Sequence, residues 1–355
     1  MRIAASYAGT DPGRKRRRNE DAFVIAPPLF AVADGMGGAQ AGEVASGLAA
    51  GALEESRANG GGERRVVELI QEANRRVHHR ATTDAATAGM GTTITAALVE
   101  PDGRVVFGHV GDSRAYLLRD DKLEQLTDDH TLVAELVRRG ELSPGEAEVH
   151  PQRSVITRAL GTDPDVDVDT FAIEARPGDI YLICSDGLSS MVDFHEIEEI
   201  LRRHRADLAS ASKALIQAAN RGGGEDNITA VLFAVDEEEP GAARPDEQTR
   251  ELRVHLPDEE DTLHPEDRIA PPPSLDGSEP QETRDDEQPP PAPAAVDTMV
   301  VPPTEIDAAL AEHDELDVPQ ADVPQAGLGR RLLALLVIFA LIAVIVVLVW
   351  WGLAR

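Results

Sequence analysis

Cysteine is almost missing from this chain. Cys184 is the only one in 355 residues, so no disulfide can form within one chain and a reducing compartment is implied. Positive charge is scarce too. Lys and Arg number 34 against 64 Asp and Glu, and the formal net charge of -30 argues against nucleic acid as a partner. No long apolar run opens the chain. Met1 to Ala8 is too short for the hydrophobic part of a secretory leader, and a basic run follows at Arg14.

These deficits are unevenly spread. Residues 237–329 hold 26 acidic residues against 5 Arg, carry 16 of the 24 prolines and have hardly any aromatic residue. Such a segment cannot bury enough apolar surface to offset its ordering entropy, so it reads as a disordered, acidic, Pro-rich linker. As a flexible coil it would span roughly 50–60 Å, and charge repulsion and proline stretch it further. Thr249, Thr262, Thr283, Thr298 and Thr304 lie in its acidic surroundings as candidate phosphorylation sites, with an inert spacer as the simpler reading.

Residues 330–355 carry three Arg and no acid. Within them Leu332 to Trp351 contains neither charge nor proline. An apolar run of about 20 residues suffices to cross a bilayer as a helix. Arg330 and Arg331 suit the near interface, Trp350 and Trp351 the far one, and the positive-inside bias puts the arginines and everything before them in the cytoplasm. Only Gly352 to Arg355 follow, so no outer sensor domain is expected. The span has no strong small-xxx-small face for helix pairing. What remains, residues 1–236 with a net charge of -12, has an ordinary, mildly acidic globular composition.

In that domain an apolar run, Phe30 to Ala33, ends abruptly at Asp34 and a glycine turn. Arg2–Ala8, Ala22–Ala26 and Leu29–Ala33 read as strands, the last two joined by Pro27-Pro28. Glu43–Arg57 and Glu63–Arg80 read as amphipathic helices separated by the glycine run at 60–62. Ile94–Val99 and Val105–Val110 form a hairpin across Pro101-Asp102-Gly103, and Ala115–Leu118 continues as a strand. Asp128–Gly140 and Ser143–Val149 suggest short helices, the second capped by Ser143. Residues 151–169 show no period and read as a loop or flap. Ile180–Cys184 and Ile228–Val235 read as strands, with Glu196–His204 and Asp207–Arg221 as helices between them. Four acidic turns thus sit at strand ends, at Asp34, Asp112, Asp186 and Asp226. One alone is usually just a turn. Four converging on one sheet edge repel one another unless a hard, oxygen-seeking cation joins them.

Seven short stretches, in order, carry a resemblance. They are Gly13-x-x-Arg16-x-x-Asn19-Glu20-Asp21, Ala33-Asp34-Gly35-Met36-Gly37-Gly38, Gly91-Thr92-Thr93, His109-Val110-Gly111-Asp112-Ser113-Arg114, Leu126-Thr127-x-Asp129-His130, Cys184-Ser185-Asp186-Gly187-Leu188 and Glu225-Asp226-Asn227-Ile228-Thr229. Together they resemble the metal-dependent protein phosphatases (PPM, protein phosphatase type 2C), in particular bacterial membrane-anchored Ser/Thr phosphatases. The resemblance implies an α+β fold, a central sandwich of two antiparallel sheets flanked by helices on both sides, to which the C-terminal transmembrane helix is added. It implies two divalent metals, Mn²⁺ or Mg²⁺. Asp34 bridges both, the Gly35 carbonyl binds one, and Asp186 and Asp226 hold the other. Asp112 belongs to a third, weaker site that Ser154 in the flap assists. Glu20 and Asp21 act nearby through waters, and Arg16 grips the substrate phosphate.

The implied chemistry is hydrolysis of phosphoserine and phosphothreonine in proteins. Hydroxide bridging the metals attacks phosphorus in line, with no phospho-enzyme and no role for Cys184 as nucleophile. Many eukaryotic members carry a histidine where this chain has Met36, so the general acid is unassigned, and His109 and His130 are read as structural. The expected partners are phosphorylated proteins, including Ser/Thr protein kinases, at the cytoplasmic face of the cell membrane. Phosphatase action on a phosphoserine regulator such as an anti-sigma antagonist is the nearest alternative. A tethered pseudophosphatase scaffold is the alternative of another class, and it has no need of four convergent carboxylates.

Overall fold

The central strands of this protein are apolar on both faces, the mark of strands buried on both sides. The structure is a computed structural model that describes residues 1–37, 41–55, 61–237, 253–255 and 299–300. The N-terminal strands are β1 (Arg2–Asp11), β2 (Asp21–Ala26) and β3 (Leu29–Met36). Helices α1 (Ala41–Glu55) and α2 (Gly62–Thr83) follow, then β4 (Gly91–Thr92), β5 (Ile94–Val99), β6 (Arg104–Val110), β7 (Arg114–Arg119) and β8 (Lys122–Gln125). Next come α3 (Leu132–Arg139), α4 (Pro144–Glu148), β9 (Val155–Ile156), β10 (Asp169–Glu174) and β11 (Ile180–Cys184). The domain closes with α5 (Asp186–Ser189), α6 (Phe194–Arg203), α7 (Leu208–Gly222) and β12 (Ile228–Asp236). Two short strands lie further on, β13 (Arg253–His255) and β14 (Met299–Val300).

One antiparallel sheet has the order β1-β12-β11-β7-β8, and the other β10-β6-β5-β3-β2-β13 with β4 on β3. Along β3, Phe30 and Val32 enter the layer between the sheets, while Leu29, Ala31 and Ala33 face the core shared with α1 and α2. Along β12, Val231, Phe233 and Val235 enter the inter-sheet layer, while Ala230 and Leu232 face α6 and α7. Stacked rings fill the centre, with Phe30 to Phe233 at 4.3 Å and Tyr181 to Phe233 at 4.8 Å between centroids. The result is two sheets with helices on both outer faces, as the sequence leads one to expect.

Differences are local. The helix expected from Asp128 starts at Leu132, because the Thr131 hydroxyl caps it by accepting from the Ala134 N–H. Helix α4 has the expected Ser143 cap, completed into a reciprocal box by Glu146. Strands β8 and β10 lie outside the expected set. Both sit at sheet edges, and β8 exposes three of its four residues, which erases the apolar signal. Strand β13 pairs with β2 and β14 pairs in parallel with β9. Both fall within residues 237–329, whose composition reads as a linker. Sheet edges accept short extended pieces through backbone bonds whatever their composition. The five linker threonines and the apolar run 332–351 lie outside the described residues, and among the described residues no helix is long and apolar enough to cross a membrane.

Candidate active site

Alternation along β3 places Asp34 on the same face as Phe30 and Val32, so its carboxylate closes one edge of the inter-sheet layer. Asp21 sits directly opposite on β2. Asp186 opens α5 just past the end of β11, Asp226 precedes β12, and Asp112 follows β6. The sheets thus deliver these acids, far apart in sequence, to one end of the sandwich.

The electrostatics record their proximity. Burial first, then the charges of Asp21, Asp186, Asp226 and Asp112, raise the Asp34 carboxyl well above the usual carboxylate range. Burial and Asp226 push Asp186 up to about 6, a rise tempered by a hydrogen bond shared with Asp34. Asp112 is raised by burial and then by Asp186 and Asp129. Among the described residues no three acids are already drawn together as an ion cage.

Asp21 is fully buried and is raised to about 7, chiefly by burial. Its Oδ2 accepts from the Ser185 hydroxyl at 2.8 Å and the Thr229 hydroxyl at 2.6 Å, while its Oδ1 has no partner. An orphaned buried carboxylate oxygen beside further acids is the donor set a hard divalent cation or its waters satisfy. These residues therefore fit the expected metals. Gly35 must lack a side chain, since a β-carbon there would overlap the carbonyl oxygens of Gly42 and Glu20. Its N–H donates to the Glu20 carbonyl at 3.1 Å. Glu20 itself is pushed up to about 7 by burial, against the pull of Arg16.

Of the basic run, Arg16 reaches the acids, donating from Nη2 to Asp226 Oδ2 at 2.9 Å. Arg18 turns to Glu43 and Arg14 to the Asn220 carbonyl. Burial alone would loosen the Arg16 proton, but Asp226, with Glu20 and Asp34, more than offsets it, and the guanidinium stays charged. Ser154 lies half-buried in the turn before β9, and among the described residues no hydrogen bond joins it to Asp112.

Several supporting residues carry no role in the sequence reading. The Thr93 N–H and Thr92 hydroxyl both donate to the Asp34 carbonyl, at 2.9 and 2.8 Å, and the Asp34 N–H donates to Thr93 Oγ1. Thr93 Oγ1 and Ser113 Oγ are 2.7 Å apart, which ties the Asp34 strand to the Asp112 turn. Asn227 binds the basic loop at both ends. Its amide nitrogen donates to the Pro12 and Arg18 carbonyls, and its oxygen accepts from the Glu20 N–H at 2.7 Å. The available signal was polarity itself, buried threonines and an asparagine beside apolar strands.

Residues set aside as non-catalytic are engaged elsewhere. Cys184 is fully buried and its thiol is pushed up to about 12 by burial, which removes the thiolate a nucleophile needs. His109 bridges Thr95 and the Asp128 carbonyl. His130 Nδ1 accepts from the Gly111 N–H, while Nε2 lies 3.1 Å from Asp169. Met36 packs with Ile156 and Ala159 of the flap, so this position is a hydrophobic contact.

A two-sheet sandwich with acids and an arginine at one edge defines a metal-dependent phosphohydrolase architecture, and comparison with known proteins agrees. Residues 17–139 match the family model for protein phosphatase 2C. The chain is 42% identical over 235 residues to the serine/threonine phosphatase stp of Listeria innocua, covering 63% of this chain and 92% of that protein. The crystal structure of the Mycobacterium tuberculosis serine/threonine phosphatase PstP/Ppp superposes with a TM-score of 0.63 at 40% identity, covering 66% of this chain and all of that one. The catalytic domain of PstP in complex with two manganese ions gives a TM-score of 0.60 at 39% identity, covering 66% of this chain and 98% of that one. The chain belongs to the protein phosphatase 2C family and is a protein-serine/threonine phosphatase.

Proposed function

We propose that this chain hydrolyses phosphoserine and phosphothreonine in proteins by direct attack of water on phosphorus, using two divalent cations, Mn²⁺ or Mg²⁺. The observation that carries the reading is the convergence of Asp34, Asp112, Asp186 and Asp226 on one sheet edge, with Arg16 held against Asp226. Asp34 and the Gly35 carbonyl, Asp186 and Asp226 are the residues to hold the pair, and Asp112 with Ser154 a third, weaker ion. When bound, the cations neutralise the phosphate dianion and acidify water enough to supply a nucleophile at neutral pH.

The remaining work falls to the chain's own groups. Arg16 forks onto two phosphate oxygens and holds phosphorus in line for attack. Asp21 and Glu20, both raised toward neutrality by burial in the ion-free fold, stand beside the ligands and would act on them through waters. Thr92, Thr93 and Ser113 fix the Asp34 backbone, and Asn227 fixes the Arg16 loop. The apolar side chain of Met36 takes no part in proton transfer to the leaving alkoxide.

The apolar run Leu332 to Trp351, after Arg330 and Arg331, supports a single-pass anchor with the catalytic domain in the cytoplasm. On this reading, residues 1–236 are the phosphatase domain, 237–329 the tether and 330–355 the anchor, and the enzyme opposes Ser/Thr kinases near the membrane. The test is phosphate release from a phosphothreonine peptide by the full chain, with and without Mn²⁺, beside Asp34→Asn. Metal-dependent turnover that the variant abolishes supports the reading. No turnover with Mn²⁺ demonstrably bound would favour a scaffold role instead.

A further inference from the structure

Arg16, Arg17 and Arg18 line one cleft of about 350 Å³, together with Glu20. That is at the small end of ligand-holding clefts, which run from about 300 to 1,000 Å³, and it exceeds the needs of one phosphate group. Two of the three arginines are committed, Arg16 to Asp226 at 2.9 Å and Arg18 to Glu43 at 3.1 Å. Arg17 is exposed, as is Lys15, and neither makes an ion pair or side-chain hydrogen bond among the described residues.

The loop that presents them is firmly held. The Arg14 and Lys15 N–H groups both donate to the Gly224 carbonyl, at 2.7 and 3.2 Å. The Asn227 amide donates to Pro12 and Arg18 at 3.0 and 2.8 Å. Gly13 turns the chain with φ +77°, where a β-carbon would overlap the Asp226 carbonyl. The backbone on both sides of Arg17 is therefore anchored, and its side chain lines the same cleft as Arg16. Five consecutive cations, Arg14 to Arg18, are concentrated at the mouth of the site in a domain of net charge -12.

We propose that Arg17, with Lys15 beside it, forms a second anion subsite, so that this phosphatase prefers phosphorylated residues flanked by a second anion in the same substrate peptide. The anion is a carboxylate or another phosphate, since a guanidinium recognises both by the same forked geometry. The inference rests on the phosphatase reading of the Arg16 site and names the substrate class that site takes.

The experiment compares three phosphothreonine peptides of equal length with the full chain in Mn²⁺. One has neutral flanks, one has glutamates flanking the phosphothreonine, and one has a second phosphothreonine. The expected kcat/KM is about fivefold higher for an anionic flank, the scale of one exposed ion pair. The ratio falls toward one at 0.5 M salt, which screens exposed charges beyond roughly 4 Å. It also falls toward one in the double variant Lys15→Ala, Arg17→Ala, and is partly reduced in Arg17→Lys, which keeps the charge but loses the fork. Circular dichroism melts establish that each variant is folded, and using a ratio cancels any uniform loss of rate. An advantage for one anionic peptide alone identifies the anion. Equal kcat/KM for all three peptides in the wild type, or an undiminished ratio in the alanine variant, overturns the subsite and leaves the phosphatase reading standing. Hydrolysis of none of the peptides overturns both.

Discussion

The Asn227 amide nitrogen donates to the Arg18 carbonyl oxygen at 2.8 Å, across 209 positions of sequence. The same side chain binds Pro12 and Glu20, so one asparagine fixes the loop that carries Arg16 relative to the neighbouring Asp226. Asn227→Ala is expected to lower kcat/KM by about 10- to 100-fold, because small misplacements of a positioning group are costly. Buried partners left unpaired cost about 1–3 kcal/mol, so the melting temperature falls as well. Peptide kinetics and thermal melts check both effects, and wild-type kinetics would remove Asn227 from the positioning role.

Arg16 separates charge from shape. Arg16→Lys keeps a cation near Asp226 but loses the forked donor pair. Arg16→Ala is expected to cost about 10- to 100-fold in kcat/KM, the scale of a hydrogen bond to a charged group, and Arg16→Lys most of that. The loss should be seen mainly in KM for peptide substrates. Full activity in Arg16→Lys would show that a point charge is sufficient.

Metal and proton compete for the same oxygens. Burial first, with neighbouring acids, holds Asp21 and Glu20 at about 7, and burial with Asp226 holds Asp186 at about 6. These folded values lie above the ordinary unfolded ones near ~4. The metal-free fold therefore binds extra protons between about pH 4 and 7, and it loses stability as pH rises through that window. Cations displace those protons, so Mn²⁺ should raise the melting temperature more at pH 8 than at pH 5. Melts with Mn²⁺ or EDTA at both values test it, and equal shifts would contradict the account.

Gly35 admits no side chain. Gly35→Ala drives a methyl group into the Gly42 and Glu20 carbonyls, and overpacking of this kind costs about 1–3 kcal/mol. The displaced strand end carries Asp34, so activity should fall even at temperatures where the variant stays folded. A variant with unchanged melting temperature and turnover would mean that the backbone yields freely there.

The anchor has a direct assay. The full chain should sediment with membranes and resist alkaline extraction, whereas a chain truncated before Arg330 should be released. Release of the full chain by alkali would exclude a spanning helix.

Much of the fold was legible because β2, β3, β5, β11 and β12 are apolar on both faces, and α2 has a clear polar side. Edge strands β8 and β10 were not legible, since an exposed edge imposes no alternation strong enough to read. The acids at 34, 112, 186 and 226 and the arginine at 16 were visible as motifs, because turn chemistry and charge are local properties. Their meeting at one edge, the role of Asn227 as a clamp, the tie from Thr93 to Ser113 and the orphaned oxygen of Asp21 depend on contacts between distant segments. The sequence by itself determined composition, strand alternation and the residues available for chemistry. Only the tertiary structure showed that, of the four arginines in the basic run, it is Arg16 that reaches Asp226, and which acids raise one another's proton affinity, because burial and distance exist only once the two sheets have packed.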